Sequence, residues 1–309
     1  DRLDETLIDR INNRWMDKAD RYKGVMFRKV LDRKGDKRRE FLMERLSVGL
    51  GIAKALAYLH HRRMIHRDLK PANIGFALDG HTPILFDMGL CRTMPSSNST
   101  YCTNTNNSSD STEQYFEMSG KTGTVRYMSP EVRNAQPYNE KADVYSFVHV
   151  LWEVLALEGK PYAGFSKAMH MVRVVQGGER PSLDPYQQQH HNHNNKKAEK
   201  WPPRVCDLLQ TSWNVHPEKR YSMKRIQQIL EEVIADVQSR RHHQSSLKSK
   251  ATSTSKSKAT SSTRRKSSMV VPMVKKELSQ TSMQLLGDDD GDSQDLRAHD
   301  DEDDVVLSC

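Results

Sequence analysis

The chain has 309 residues, 36% of them apolar, and a formal net charge of +8; this is enough for one domain of moderate size, with too little apolar content for the whole length to pack. No apolar run reaches the length of a membrane span, the best, 148–157, being interrupted by Glu153. The cysteines Cys91, Cys102, Cys206 and Cys309 lack the spacing of a disulfide or zinc framework, which points to a reducing, cytoplasmic setting, and no basic stripe is studded with aromatics as nucleic-acid binding would ask.

In chain order, Thr6 precedes Leu7, Ile8 and Ile11, which predicts a short capped helix within residues 1–14. Residues 15–40 are crowded with Lys and Arg and hold few apolar positions, so an exposed insertion is expected there. From Phe41 to His61 the apolar residues fall on helical spacing, with Val48, Ile52, Leu56 and Leu59 in one row and Leu46, Leu50, Ala53 and Ala57 beside it. A long core helix is predicted over this stretch.

Two motifs follow. The first is Met64-Ile65-His66-Arg67-Asp68-Leu69-Lys70-Pro71-Ala72-Asn73-Ile74, and the second is Pro83-Ile84-Leu85-Phe86-Asp87-Met88-Gly89-Leu90. Between them, two short apolar segments flank Leu78-Asp79-Gly80, a strong hairpin turn signal. The hairpin delivers Asn73 and Asp87 to one end of a small sheet, with oxygen donors of the kind magnesium prefers.

The first motif resembles the catalytic loop of eukaryotic protein kinases, and the second resembles the D-F-G that follows it, with Met88 in the middle place. By that resemblance the catalytic residues are Asp68, Lys70, Asn73 and Asp87. Asp68 orients the acceptor hydroxyl, Lys70 reaches the transferring phosphate, and Asn73 and Asp87 hold magnesium beside ATP. Gly75 stands where the family places a large aliphatic residue under the adenine, so the nucleotide floor is expected to lack a side chain. The short helix within residues 1–14 would be the first after the hinge between the two kinase lobes. No Gly-rich phosphate loop, strand Lys or partner Glu precedes His66, Gly24 and Gly35 being isolated, so the expectation is a large lobe without its small N-terminal lobe.

Residues 87–131 match the activation segment, with a Ser/Thr/Asn-rich insertion over about 94–119 expected to be mobile. The segment ends in Gly123-Thr124-Val125-Arg126-Tyr127-Met128-Ser129-Pro130-Glu131, similar to the family's close on A-P-E. The match implies that Thr124 bonds near Asp68 and Lys70, which together with Lys70 itself suggests a Ser/Thr-specific enzyme. Arg67 and Arg92 would leave a cationic pocket that a phosphate on Ser119 or Thr122 fills, placed there by an upstream kinase.

The stretch 139–147, ending in Asp143-Val144-Tyr145-Ser146-Phe147, resembles a helix of the tyrosine-kinase-like group whose Asp braces the catalytic loop. A further helix is expected within 166–183. The insertion over about 186–200 holds His190, His191 and His193 in a polar run, read as loop ahead of metal site. The last helices are expected over Val205–Trp213 and Tyr221–Val237, with Arg220 pairing Glu131 as the family does. Beyond that, residues 239–287 carry eleven Lys and Arg against one Glu, and residues 288–309 carry ten acids against one Arg. Such blocks predict a disordered tail, within which Arg264-Arg265-Lys266-Ser267 matches both a basophilic phosphorylation site and a nuclear-import cluster.

The resulting expectation is an α+β fold, mainly helical with a small hairpin, over a partial kinase domain at 1–238, followed by a tail at 239–309. The implied function is a Ser/Thr protein kinase of the tyrosine-kinase-like group, acting with ATP and Mg2+ on protein substrates. The alternative is a catalytically silent scaffold of the same fold that binds protein partners.

Overall fold

The computed structural model describes residues 3–24, 26–95, 101–103, 114–183, 201–256 and 305–306. The chain divides into two units, residues 1–242 with 303–309, and residues 243–302. The core and the motifs lie in the first. It is mostly helical with short strands, in keeping with an α+β fold.

Helix α1 (Leu7–Arg10) begins at a capping box. The Thr6 hydroxyl accepts from Asp9 N while the Asp9 carboxylate accepts from Thr6 N, each at 3.2 Å. One π turn, Ile11–Trp15, carries the helix into α2 (Met16–Lys23). This overturns part of the exposed insertion expected over 15–40. Trp15 is only 1% exposed and donates Nε1–H to Glu44 at 2.8 Å, and Tyr22 stacks on Phe27 with its edge toward Phe41. Beyond these anchors the stretch is mostly exposed, as expected, Met26, Val30 and Leu31 included.

Helix α3 (Asp36–His61) starts earlier than Phe41 because the buried Asp32 carboxylate accepts from Lys37 N and Arg38 N at 2.9 and 3.2 Å, satisfying amides that the first turn leaves open. Leu46, Val48, Ile52, Ala53 and Leu56 form its buried face, as the periodicity predicts. The face meets α5 (Lys141–Ala156), in which every residue from Lys141 to Leu155 is buried. The apolar run 148–157 therefore belongs to a core helix, and among the described residues no helix is long and apolar enough to cross a membrane.

Strand β1 (Met64–Ile65) pairs with β4 (Arg92–Thr93), and β2 (Ile74–Phe76) pairs with β3 (Pro83–Leu85), both antiparallel. The β2–β3 turn is the predicted one: the Asp79 carboxylate accepts from His81 N and Thr82 N at 2.8 Å, and Gly80 takes φ +66°.

The insertion expected to be mobile over 94–119 is ordered at both ends. Met94 is buried, and β5 (Tyr101–Thr103) pairs with β6 (Gln114–Phe116), whose Phe116 joins Ile65, Met128 and Tyr138 in a second small core. Strand β7 (Gly123–Thr124) leads to the short α4 (Pro130–Arg133). Ser166 caps α6 (Lys167–Met169), and α7 (Pro203–Ser212) and α8 (Met223–Lys256) follow.

Helix α8 runs past Val237, so the tail expected to be disordered from residue 239 opens as helix. Near the other end, β8 (Val305–Val306) pairs antiparallel with β7. The His-rich run with His190, His191 and His193 and the basic cluster at Arg264 lie outside the described residues.

Candidate active site

Asp68 sits between β1 and the β2–β3 hairpin, on a loop braced from below. The buried Asp143 carboxylate of α5 accepts from His66 N at 2.8 Å and Arg67 N at 2.9 Å, and lies 3.0 Å from His60 Nε2. Burial opposes its charge, yet the His60 hydrogen bond, the electrostatic influence of the His60 and His66 rings and the Arg67 amide together hold its pKa below the ordinary aspartate value. The backbone it grips is turned, with Arg67 at φ +70°.

Above this brace four side chains meet. The Asp68 carboxylate accepts from Thr124 N at 2.9 Å and the Thr124 hydroxyl at 2.8 Å on one oxygen, and from Asn73 Nδ2 at 3.1 Å on the other, with Lys70 Nζ at 3.2 Å. Lys70 also donates to the Thr124 hydroxyl at 3.1 Å. Asp68 is 7% exposed, so its orientation is fixed by these donors and not by water.

Thr124 reaches Asp68 only because Gly123 precedes it. Gly123 has φ +99°, and a Cβ there would stand 2.4 Å from the Arg67 carbonyl oxygen. A glycine is needed at that contact.

Asp87 follows β3. Phe86 N donates to the Asn73 carbonyl at 3.1 Å, which ties the two ends of the hairpin together and brings Asp87 to the side of Asn73. Asp87 is exposed in a left-handed turn (φ +59°) and has no side-chain hydrogen-bond or ion-pair partner among the described residues. The Asn73 amide spends its N–H groups on Asp68 O and Oδ2, leaving its oxygen as an acceptor. One carboxylate and one amide oxygen form a donor set that fits magnesium, which keeps much of its shell for water and phosphate.

Residues 23–232 match the family model of the protein kinase domain. The chain belongs to that family. It is 32% identical to serine/threonine-protein kinase STY17 of Arabidopsis thaliana over 199 residues, 64% of this chain and 29% of that protein. Mitogen-activated protein kinase kinase kinase 7 of Drosophila melanogaster is 29% identical over 187 residues, 60% of this chain and 22% of that protein. The human ankyrin repeat and protein kinase domain-containing protein 1 is 34% identical over 174 residues, 54% of this chain and 19% of that protein. The chain thus spans less than a third of the length of each of these three.

In this kinase domain the sequence-predicted regulatory residues fall into two groups. Arg67 donates from Nη1 to the Ser119 hydroxyl at 2.8 Å and from Nε to the Leu90 carbonyl at 2.6 Å, and Ser119 is exposed. Arg92 is exposed on β4, whose pairing with β1 sets it opposite Ile65. Thr122 lies elsewhere: it is 2% exposed, and its hydroxyl is turned to the carbonyls of Ser119 and Gly120.

Two participants were invisible in the sequence. Tyr138, fully buried, accepts from Arg67 at 2.9 Å and donates to the Ser119 carbonyl at 3.0 Å, with burial pushing its pKa up. Leu3 fills the space at Gly75, where a Cβ would stand 2.6 Å from a Leu3 methyl. The space that a side chain at position 75 would take is thus filled by Leu3 from the start of the sequence. Pairing of that start through Asp4 N to Phe76 O and Phe76 N to Glu5 O, both 3.0 Å, carries it there.

Proposed function

We propose that this kinase domain is the large lobe of a Ser/Thr protein kinase of the tyrosine-kinase-like group, transferring the ATP γ-phosphate to protein hydroxyls. The observation that carries the reading is the Asp68 carboxylate, nearly buried yet held by Thr124, Asn73 and Lys70. Such an oriented carboxylate suits an acceptor hydroxyl that must be aligned with its proton pointed away from the phosphorus.

Asn73 and Asp87 would hold Mg2+, and the metal supplies charge neutralisation of the phosphates when bound. Lys70, beside both Asp68 and Thr124, is positioned to follow negative charge on the transferring group. The bond from the Thr124 hydroxyl to Asp68 supports the Ser/Thr assignment that its sequence match implies. The substrates are proteins bearing Ser or Thr, an upstream kinase acts at Ser119, and a cytoplasmic setting accords with the unpaired cysteine spacing.

The test is transfer of labelled phosphate to a generic Ser/Thr protein by the full-length protein, beside its Asp68→Asn variant. Transfer by the parent and none by the variant is expected. Equal silence from two folded proteins would instead favour a scaffold.

A further inference from the structure

The cations of residues 15–40 play no part in the site above, yet several of them converge. Between α2, the π turn Phe27–Leu31, the first half of α3 and the end of α5 lies a pocket open to solvent. Its apolar part is built from Leu42, Leu155 and Leu157 with the rings of Tyr22, Phe41 and Trp201. Around them stand Lys23, Arg28, Arg38 and Arg45, and among the described residues no acidic one lines the pocket. None of Asp68, Lys70, Asn73, Asp87 or Thr124 borders it.

Three of these cations are already engaged. Arg45 donates to the Leu155 carbonyl at 2.8 Å and lies 4.2 Å above the Phe41 ring, at the negative end of α5. Arg38 pairs with Asp32 at 2.9 Å, and Lys23 with Asp20 at 3.0 Å. Arg28 differs. Its guanidinium has no hydrogen-bond or ion-pair partner among the described residues, and its Nε is buried from water. The Nη atoms are not closed off in this way, and a guanidinium with no acceptor of its own can take one from a ligand in the pocket.

We propose that this pocket binds a small amphiphilic anion, an apolar body of ring size with one phosphate or carboxylate head. The body would lie against Tyr22, Phe41 and Trp201, and the head would accept from Arg28, whose planar fork suits both anions. An apolar cavity with few convergent polar groups is the usual form of a small-ligand site, and here every uncompensated charge has one sign.

The test is calorimetric titration of the full chain with three probes: phenyl phosphate, inorganic phosphate (the head alone) and benzyl alcohol (the ring alone). Phenyl phosphate should saturate below about 10 mM and bind at least about ten-fold more tightly than either fragment. Arg28→Gln should weaken phenyl phosphate about ten-fold or more while leaving benzyl alcohol unchanged. Ala19 of α2 also lines the pocket; Ala19→Trp, which fills the apolar part without touching charge, should abolish binding, and circular dichroism checks that both variants are folded. No saturation by phenyl phosphate, or an Arg28→Gln affinity within two-fold of the parent, overturns the proposal. Inorganic phosphate binding as tightly as phenyl phosphate would reduce the site to a plain anion site and overturn it equally.

Discussion

Arg220 holds the Glu131 carboxylate in a two-pronged pair, Nη1 to one oxygen at 2.7 Å and Nη2 to the other at 2.8 Å, with both side chains buried. The guanidinium also donates to the carbonyls of Lys141 and Asn214, so it joins α4, α5 and the loop before α8. Arg220→Ala leaves a buried carboxylate without its partner and should cost about 3 to 5 kcal/mol. Urea unfolding of parent and variant measures this; a loss under about 1 kcal/mol would mean that water or a neighbour replaces the guanidinium.

Glu153 on α5 accepts from the Tyr127 hydroxyl at 2.7 Å and is 1% exposed. Burial raises its pKa from 4.5 to about 7, against smaller opposing effects of Tyr127, Lys160 and Arg126. A folded state that binds this proton more tightly than the unfolded chain loses stability as pH rises from about 4.5 to about 7, and the loss is complete above that window. Glu153→Gln keeps the acceptor and removes the titration. It should stabilise the protein by about 1 to 3 kcal/mol at pH 8 and by little at pH 4.5, measured as unfolding midpoints at the two pH values.

Thr124 fixes the Asp68 carboxylate with its amide and its hydroxyl. Thr124→Val keeps shape and removes the hydroxyl, so the carboxylate gains freedom that transfer cannot use. Phosphate transfer should fall about ten- to a hundred-fold in kcat with little change in KM for ATP, and Thr124→Ser should retain most of the rate. Equal losses in both variants would place the effect in packing and not in the hydroxyl.

Gly75 and Leu3 occupy one space. Gly75→Leu drives a side chain into the Leu3 methyls and should cost about 1 to 3 kcal/mol. Pairing it with Leu3→Ala should recover most of that, a non-additivity that a double-mutant cycle reads directly. Simple addition of the two losses would show that the methyls move apart without strain.

Ser119 is exposed, and its hydroxyl already lies within reach of Arg67. A phosphate there turns that bond into an ion pair with further acceptor oxygens, ordering the segment around Tyr138. Phosphatase treatment of the active protein, or Ser119→Ala, should lower transfer about ten-fold. Thr122→Ala should not reproduce this effect, because the Thr122 hydroxyl faces carbonyls inside the loop. Mass spectrometry of the protein before and after treatment identifies the modified residue.

The sequence made much of the site legible because phosphoryl transfer ties chemistry to short spacing. Asp68, Lys70 and Asn73 share one loop, and the Asp79–Gly80 turn alone is enough to return Asp87 to it. The α3 periodicity and the Glu131–Arg220 pair were readable for similar reasons, one from local repetition and the other from family pattern. Residues 15–40 are mostly exposed, as their composition suggests, but composition weights every residue alike and so hid the anchored start. A single Trp15 inside the core anchors the segment, whatever the number of cations around it.

What the sequence by itself determined was the local geometry: which residues cap, turn and repeat, and hence which elements form and which side chains share a loop. Only the tertiary structure decided the encounters between distant segments. Tyr138 reaches Arg67, Leu3 fills the place of an absent side chain at Gly75, and Arg28 is left beside an aromatic pocket with no acceptor among the described residues. The physical reason is that each such contact depends on how whole helices and hairpins pack, and close-packed interiors select partners by shape and by unmet hydrogen bonds that no spacing along the chain encodes.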